Sequence, residues 1–367
     1  MEAIGGVPSS ALTRGQGESQ MPDDIYDQLA TALDRLPNAF PRTESGVELR
    51  ILRKIFSEEE VGIAARLDGE MTPLKALAER LDRSAKKLRS ELIKMTRRGL
   101  VWMSKKGRTP HFRLAPFIVG VYEAQWKEID HDLAHMIEDY LLEGGAEGLM
   151  ELQPALNRVV PAEGTVKSEW ILPYDDVRAV LEKAETFRVQ ECICRKQREH
   201  VDRKCDFPLD VCLSFSTSKR QPGPESITRD EALGILERAK EQGLVHSVSN
   251  VAEGLGYVCN CCGCCCSILR GINEWGIENS VAAANYYAVV DAEACVNCGL
   301  CAARCQVNAI REGEDSAEVI REKCIGCGVC VAKCPVMAIR LERKSEDQIV
   351  HPPKDFATWE RERAANR

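Results

Sequence analysis

Residues 295–335 run CVNCGLCAARCQVNAIREGEDSAEVIREKCIGCGVCVAKCP. In this stretch Cys295, Cys298, Cys301 and Cys305 are followed by Cys324, Cys327, Cys330, Cys334 and Pro335. Each half repeats C-x2-C-x2-C-x3-C, so thiols recur at a spacing that one tight loop can fold around a metal centre. Gly299, Gly326 and Gly328 fit such loops, because glycine takes a positive φ and lets the backbone approach without a Cβ in the way. Two zinc knuckles or a disulfide framework are the alternative readings. Structural zinc sites usually pair two C-x2-C hooks across a longer spacer.

Residues 286–343 resemble the 2[4Fe–4S] bacterial-type ferredoxin family. Ala309-Ile310 and Ala338-Ile339 stand at the hydrophobic positions that follow the fourth cysteine of each half. The resemblance implies that each half aims three thiolates at one cubane while its fourth cysteine crosses to the other. Cys295, Cys298, Cys301 and Cys334 would then hold one [4Fe–4S] cluster, and Cys324, Cys327, Cys330 and Cys305 the second. In one departure from the family, Gln306 stands where proline is expected after Cys305, whereas Pro335 is present after Cys334. Proline supplies no thiolate, so the ligand set is unaffected.

Working outward, 367 residues suffice for two or three domains and a large core, so the 18 cysteines are not needed as covalent staples. Their clustering, and a start without a signal peptide, point to metal ligation in a reducing, cytoplasmic compartment. No apolar run reaches the roughly 18 residues that span a bilayer. The net charge of −8 argues against a general coat for nucleic acid. Residues 83–108 nevertheless hold ten Lys or Arg and one acid, Glu91.

Residues 1–42 open on a stretch rich in Gly, Ser, Gln and Pro and are expected to form a poorly ordered leader. Within 43–116, Ser57 before Glu60, Thr72-Pro73 and Ser84 each mark a helix start, with Leu77, Leu88 and Leu92 facing inward. Strands are expected at 100–103 and 111–114. This order of three helices and a hairpin resembles the winged-helix family, which implies a third helix lined by Lys86, Lys87, Arg89 and Lys94 and a wing bearing Lys105, Lys106 and Arg108. A helical connector is expected over 117–190: one amphipathic helix at 117–142, an extended linker at 152–173 and a helix at 174–187. His131 and His135 are four apart in it, but with no H-E-x-x-H motif they read as surface or core packing residues.

The segment 191–285 is expected to be a mostly helical, cysteine-rich middle domain. Cys192, Cys194, Cys205 and Cys212 are interleaved with Arg195, Lys196, Arg198, Arg203 and Lys204, cations that would offset thiolate charge. After a helix at 228–242 come Cys259, Cys261, Cys262, Cys264, Cys265 and Cys266, six thiols in eight residues. Neighbouring side chains face different ways, so these must divide between sites or some must be idle. They are expected to supply one or two further iron–sulfur centres, in a grouping the sequence leaves open, with zinc or a redox-active thiol pair as the alternatives. Residues 345–367 read as a polar tail.

The overall class is therefore α+β: a winged helix-turn-helix-like domain, a helical cysteine-rich middle and a C-terminal ferredoxin-like domain. Residues 44–344 in this order look similar to a broad group of 4Fe–4S proteins from anaerobic bacteria and archaea, a resemblance that implies low-potential electron transfer beside oxidoreductase partners. No G-x-G-x-x-G, Walker loop or matched nucleophile and base is present. The expectation is an electron carrier or oxidoreductase subunit, with a redox-responsive, DNA-binding transcription regulator as the alternative.

Overall fold

The computed structural model describes residues 24–219 and 221–367. The N-terminal part is helical. Ile25–Asp34, capped by Asp24, buries Leu29, Ala30 and Leu33 against Val47–Ile55. The leader expected over 1–42 is thus corrected for 24–42, where an amphipathic turn pattern finds a core; its first 23 residues lie outside the described residues.

Ser57 forms a capping box with Glu60 ahead of Glu58–Ala64, and Leu74–Arg80 and Ala85–Arg97 follow. Val101–Lys106 and Thr109–Leu114 pair antiparallel, and Thr72–Pro73 adds a short third strand beside Thr109–Leu114. The strands run further than expected, leaving Gly107 and Arg108 as a two-residue turn. Leu77, Leu88, Leu92, Phe112 and Leu114 join the core beneath.

The long helix expected over 117–142 is broken. Ile118, Val119 and Gly120 are non-helical, and Asp130 caps a new helix, His131–Tyr140, by accepting from the Leu133 amide at 2.9 Å. His131 and His135 lie 4.4 Å apart between ring centroids, tilted to one another, on its exposed side, so they are surface residues.

The middle is not mostly helical. It is built on a six-stranded antiparallel sheet in the order Asn157–Val159, Val245–Ser249, Tyr257–Cys261, Asp210–Ser216, Thr186–Glu191, Ser226–Ile227. Val211, Leu213 and Val258 bury one face of it against Leu181, Ile235 and Ala239. The extended linker expected at 152–173 supplies its edge strand. The helix expected at 174–187 shrinks to Val177–Glu182, because Thr186–Glu191 pairs with Asp210–Ser216. Arg229–Gln242 forms as expected, with a Thr228–Glu231 capping box and Gly243 in the left-handed region at its end.

In the C-terminal module, Tyr286–Val290 pairs with Ile339–Arg343, and Ile310–Glu312 with Ala317–Val319. The expected polar tail is a docked helix, Phe356–Ala365. Trp359 is buried and donates to the Ala155 carbonyl at 3.0 Å, and Arg363, fully buried, donates to the carbonyls of Pro37, Leu149, Leu152 and Pro154. One tryptophan and one satisfied guanidinium outweigh the polar composition around them.

Candidate metal centres

The two halves of the C-terminal module repeat one backbone path. Asn297 and Gly326, Gly299 and Gly328, and Asn308 and Met337 hold positive φ at equivalent positions after the cysteines. Each turn aims thiols inward. Cys295, Cys298, Cys301 and Cys334 line one cavity, walled by Val290, Leu300, Ala317 and Ile339. Cys330 lies close to Cys327, Cys324 and Cys305, and to Cys301 of the first set. In the first cavity the last cysteine of the second half, Cys334, thus sits with three of the first half.

Backbone amides point at these sulfurs: Ala288 N–H to Cys324 Sγ at 3.4 Å, Asn297 to Cys295 at 3.4 Å, Ala309 to Cys305 at 3.1 Å and Ala338 to Cys334 at 3.2 Å. Burial pushes Cys327 up to about 12 against a hydrogen bond from the Val329 amide. Burial opposes ionisation of Cys305, Cys327 and Cys330, while backbone amides in the module donate to sulfur; both features fit a bound cluster whose cationic irons draw off the protons.

The ten middle cysteines separate into six and four. Cys192 contacts Cys194 and Cys212, Cys194 contacts Cys266, Cys266 contacts Cys261, Cys261 contacts Cys259, and Cys259 contacts Cys212, which closes a ring of six thiols. Local structure explains the placement. Cys259 and Cys261 are two apart on the strand Tyr257–Cys261 and so share a face, and Cys212 lies on the neighbouring strand. Cys192 is the N-cap of Ile193–His200, and Cys266 that of Ser267–Asn273. Hydrogen bonds from Cys194 and Cys212 hold the Cys192 thiol well below its usual range; those from Cys259 and Cys266 bring Cys261 down to about 6.

The remaining four, Cys205, Cys262, Cys264 and Cys265, place their sulfurs within 4.8 Å of one another. All eighteen cysteines are free thiols.

Of the five interleaved cations, Arg195 faces the thiols. It is buried, lies against Cys262 and near Cys192 and Cys261, and is fixed by donating to the Pro208 carbonyl at 2.6 Å and the Asn260 carbonyl at 2.8 Å. Lys196, Arg198 and Lys204 pair instead with Glu191, Glu138 and Glu199, each at 2.6 Å, which corrects the expectation that all would offset thiolate charge.

Sequence reasoning missed the supports. Glu138 accepts from Arg270 at 2.6 and 3.0 Å, from Arg198 at 2.6 Å and from Gln197 at 3.0 Å, joining the two helices that begin at Cys192 and Cys266. Burial would raise its pKa, but these donors outweigh it and hold the carboxylate below its usual range. His246 pairs its Nδ1 with Asn260 Oδ1 at 2.6 Å, steadying the residue between Cys259 and Cys261. No cysteine-like signal marks Glu138 or His246 in the sequence.

Gln306, the departure from the ferredoxin pattern, sits where the two sulfur-rich modules meet. Its Oε1 accepts from the Gly263 amide at 2.7 Å, and its Nε2 donates to the Gly243 carbonyl at 3.0 Å. Arg304 donates to the carbonyls of Lys240 and Glu241 at 2.8 and 3.0 Å, capping the end of Arg229–Gln242. A Cβ on Gly263 would lie 2.0 Å from the Gln306 carbonyl oxygen, so only glycine permits this approach.

Among the described residues no helix is long and apolar enough to cross a membrane. No curated protein and no solved structure matches the chain. Residues 288–341 match the family model of the 4Fe–4S dicluster domain, the segment in which the eight paired thiols lie.

Proposed function

We propose that the chain is an iron–sulfur electron-transfer protein that relays single electrons between redox partner enzymes. The observation that carries this reading is the cavity lined by Cys295, Cys298, Cys301 and Cys334, which joins the last cysteine of one half to three of the other. Cys295, Cys298, Cys301 and Cys334 would hold one [4Fe–4S] cluster and Cys305, Cys324, Cys327 and Cys330 the other; the ring of Cys192, Cys194, Cys212, Cys259, Cys261 and Cys266 would supply a further iron–sulfur centre. Such clusters, when bound, supply one-electron carriers whose potentials follow charge, hydrogen bonds to sulfur and exposure. The chain's part is to aim amides at the sulfurs, to bury Arg195 beside the ring and to hold the modules together through Gln306. Exposed Val296, Leu300 and Val336 edge the first cluster's cavity, a setting suited to brief contact with a partner enzyme.

Iron and sulfide per chain, measured without air beside electron paramagnetic resonance of the reduced protein, test this. About 12 irons are expected, about eight would remove the middle centre, and a protein with no reducible cluster would end the relay reading.

One observation favours a second reading, a redox-responsive DNA-binding regulator. Lys86, Lys87, Arg89 and Lys94 are exposed on Ala85–Arg97, and Lys105, Lys106 and Arg108 are exposed at the hairpin, as on a winged helix. A salt-dependent, sequence-selective gel shift that changes on oxidation would favour it; phosphate attraction alone would not.

A further inference from the structure

We propose that Cys205, Cys262, Cys264 and Cys265 form a closed, tetrahedral site for a single zinc ion, a structural staple separate from the iron–sulfur centres. It depends on reading the middle thiols as metal ligands but not on the electron-transfer reading.

The argument begins with size. A tetrahedral zinc ion with bonds of about 2.3 Å draws its four sulfurs to within ~3.8 Å of each other. Cys205 and Cys265 are 3.4 Å apart, Cys264 and Cys265 are 3.7 Å apart, and all four sulfurs lie within 4.8 Å of one another. A cubane holds its terminal thiolates further apart, since four irons and four sulfides lie between them. The same chain supplies the comparison. Among the described residues, no three of the eight C-terminal thiols, nor any three of the ring, come this close together.

The surroundings fit a structural ion. Four thiolates complete the tetrahedron, leaving no open position for substrate. Bound to a dication they would carry a net charge of −2, and the buried Arg195 guanidinium lies against Cys262. Cys264 is exposed, which gives an ion its way in.

The ligands also explain what the staple would hold. Cys205 belongs to the loop after Ile193–His200, whereas Cys262, Cys264 and Cys265 surround Gly263, the residue gripped by Gln306. One ion would therefore fix the turn on which the C-terminal module docks.

The test uses the full chain purified without air. Metal analysis is expected to give about one zinc per chain, and X-ray absorption at the zinc edge a shell of four sulfurs at about 2.3 Å. In Cys264→Ser the zinc should leave to a chelator at least about tenfold faster, with iron content and the resonance spectrum of the reduced clusters unchanged. Wild-type protein without zinc, zinc bound through nitrogen or oxygen, or loss of iron from Cys264→Ser would each overturn the assignment. The absorption measurement needs no variant, so it decides even if Cys264→Ser fails to fold. Absence of reducible clusters in zinc-loaded protein would instead defeat the relay and leave the staple standing.

Discussion

The side-chain oxygen of Gln306 accepts a hydrogen bond from the Gly263 amide at 2.7 Å, linking the residue after Cys305 to the turn between Cys262 and Cys264. Gln306→Ala leaves that amide and the Gly243 carbonyl without their partner. We expect a cost of about 1–3 kcal/mol, read as a lower denaturant midpoint, with the resonance spectrum of the C-terminal clusters unchanged. Gln306→Pro, which restores the family pattern, should lose the same contacts; full stability in that variant would contradict the role.

Arg195→Met removes the cation beside Cys262 and near Cys192. It also strands the Pro208 and Asn260 carbonyls. Metal bound by the middle thiols should fall in the purified protein while the C-terminal clusters stay at wild-type content. Metal analysis of the variant, paired with resonance of the reduced form, separates the two.

Glu138→Ala should destabilise by about 3–5 kcal/mol, because it removes the carboxylate shared by the buried Arg270 and Arg198 and leaves Arg270 only the partly exposed Glu274. Replacing Glu138 and Arg270 together, by Leu and Met, should cost less than the single change. Chemical denaturation of Glu138→Leu, Arg270→Met and the double variant checks the order, and a loss in the double variant equal to the sum of the two single losses would show that the pair is not coupled.

His246 gives the middle sheet a pH dependence. Burial lowers its pKa, and the Asn260 hydrogen bond only partly opposes this; Lys240 lowers it further and Glu237 acts the other way. The unfolded chain takes up a proton near pH ~6.5 while the folded chain does not, so this contribution is full above that pH and lost as pH falls toward the folded value. Thermal melts at several pH values should show the wild type losing more stability between about pH 7.5 and 5.5 than His246→Gln. Parallel curves would rule the residue out.

What the sequence made legible was local. The repeated cysteine spacing marks the C-terminal module from the chain alone, and Gly299, Gly326 and Gly328 take the positive φ expected of them. Met337 does too, but nothing about methionine announces it. Gln306 was visible as an oddity, yet its partner Gly263 is 43 residues away and no periodicity links them. The sheet's two outer strands, Asn157–Val159 and Ser226–Ile227, are too short to show a period. Val211, Leu213 and Phe215 alternate in the period of a strand, but Cys212 among them drew the reading toward metal chemistry. The docked final helix depends on Trp359 and Arg363 meeting backbone carbonyls more than 200 residues earlier in the chain, which composition does not record.

Glu138 gives the ring of sulfurs a mechanical tie to a distant part of the molecule. The helices that start at Cys192 and at Cys266 are both tethered to one carboxylate on His131–Tyr140, and that helix rests on Val47–Ile55 in the same core as the basic hairpin. Any rearrangement that shifts one of those two helices against the other acts on a shared anchor point, and that anchor's helix is packed in the same core as the positively charged end of the protein.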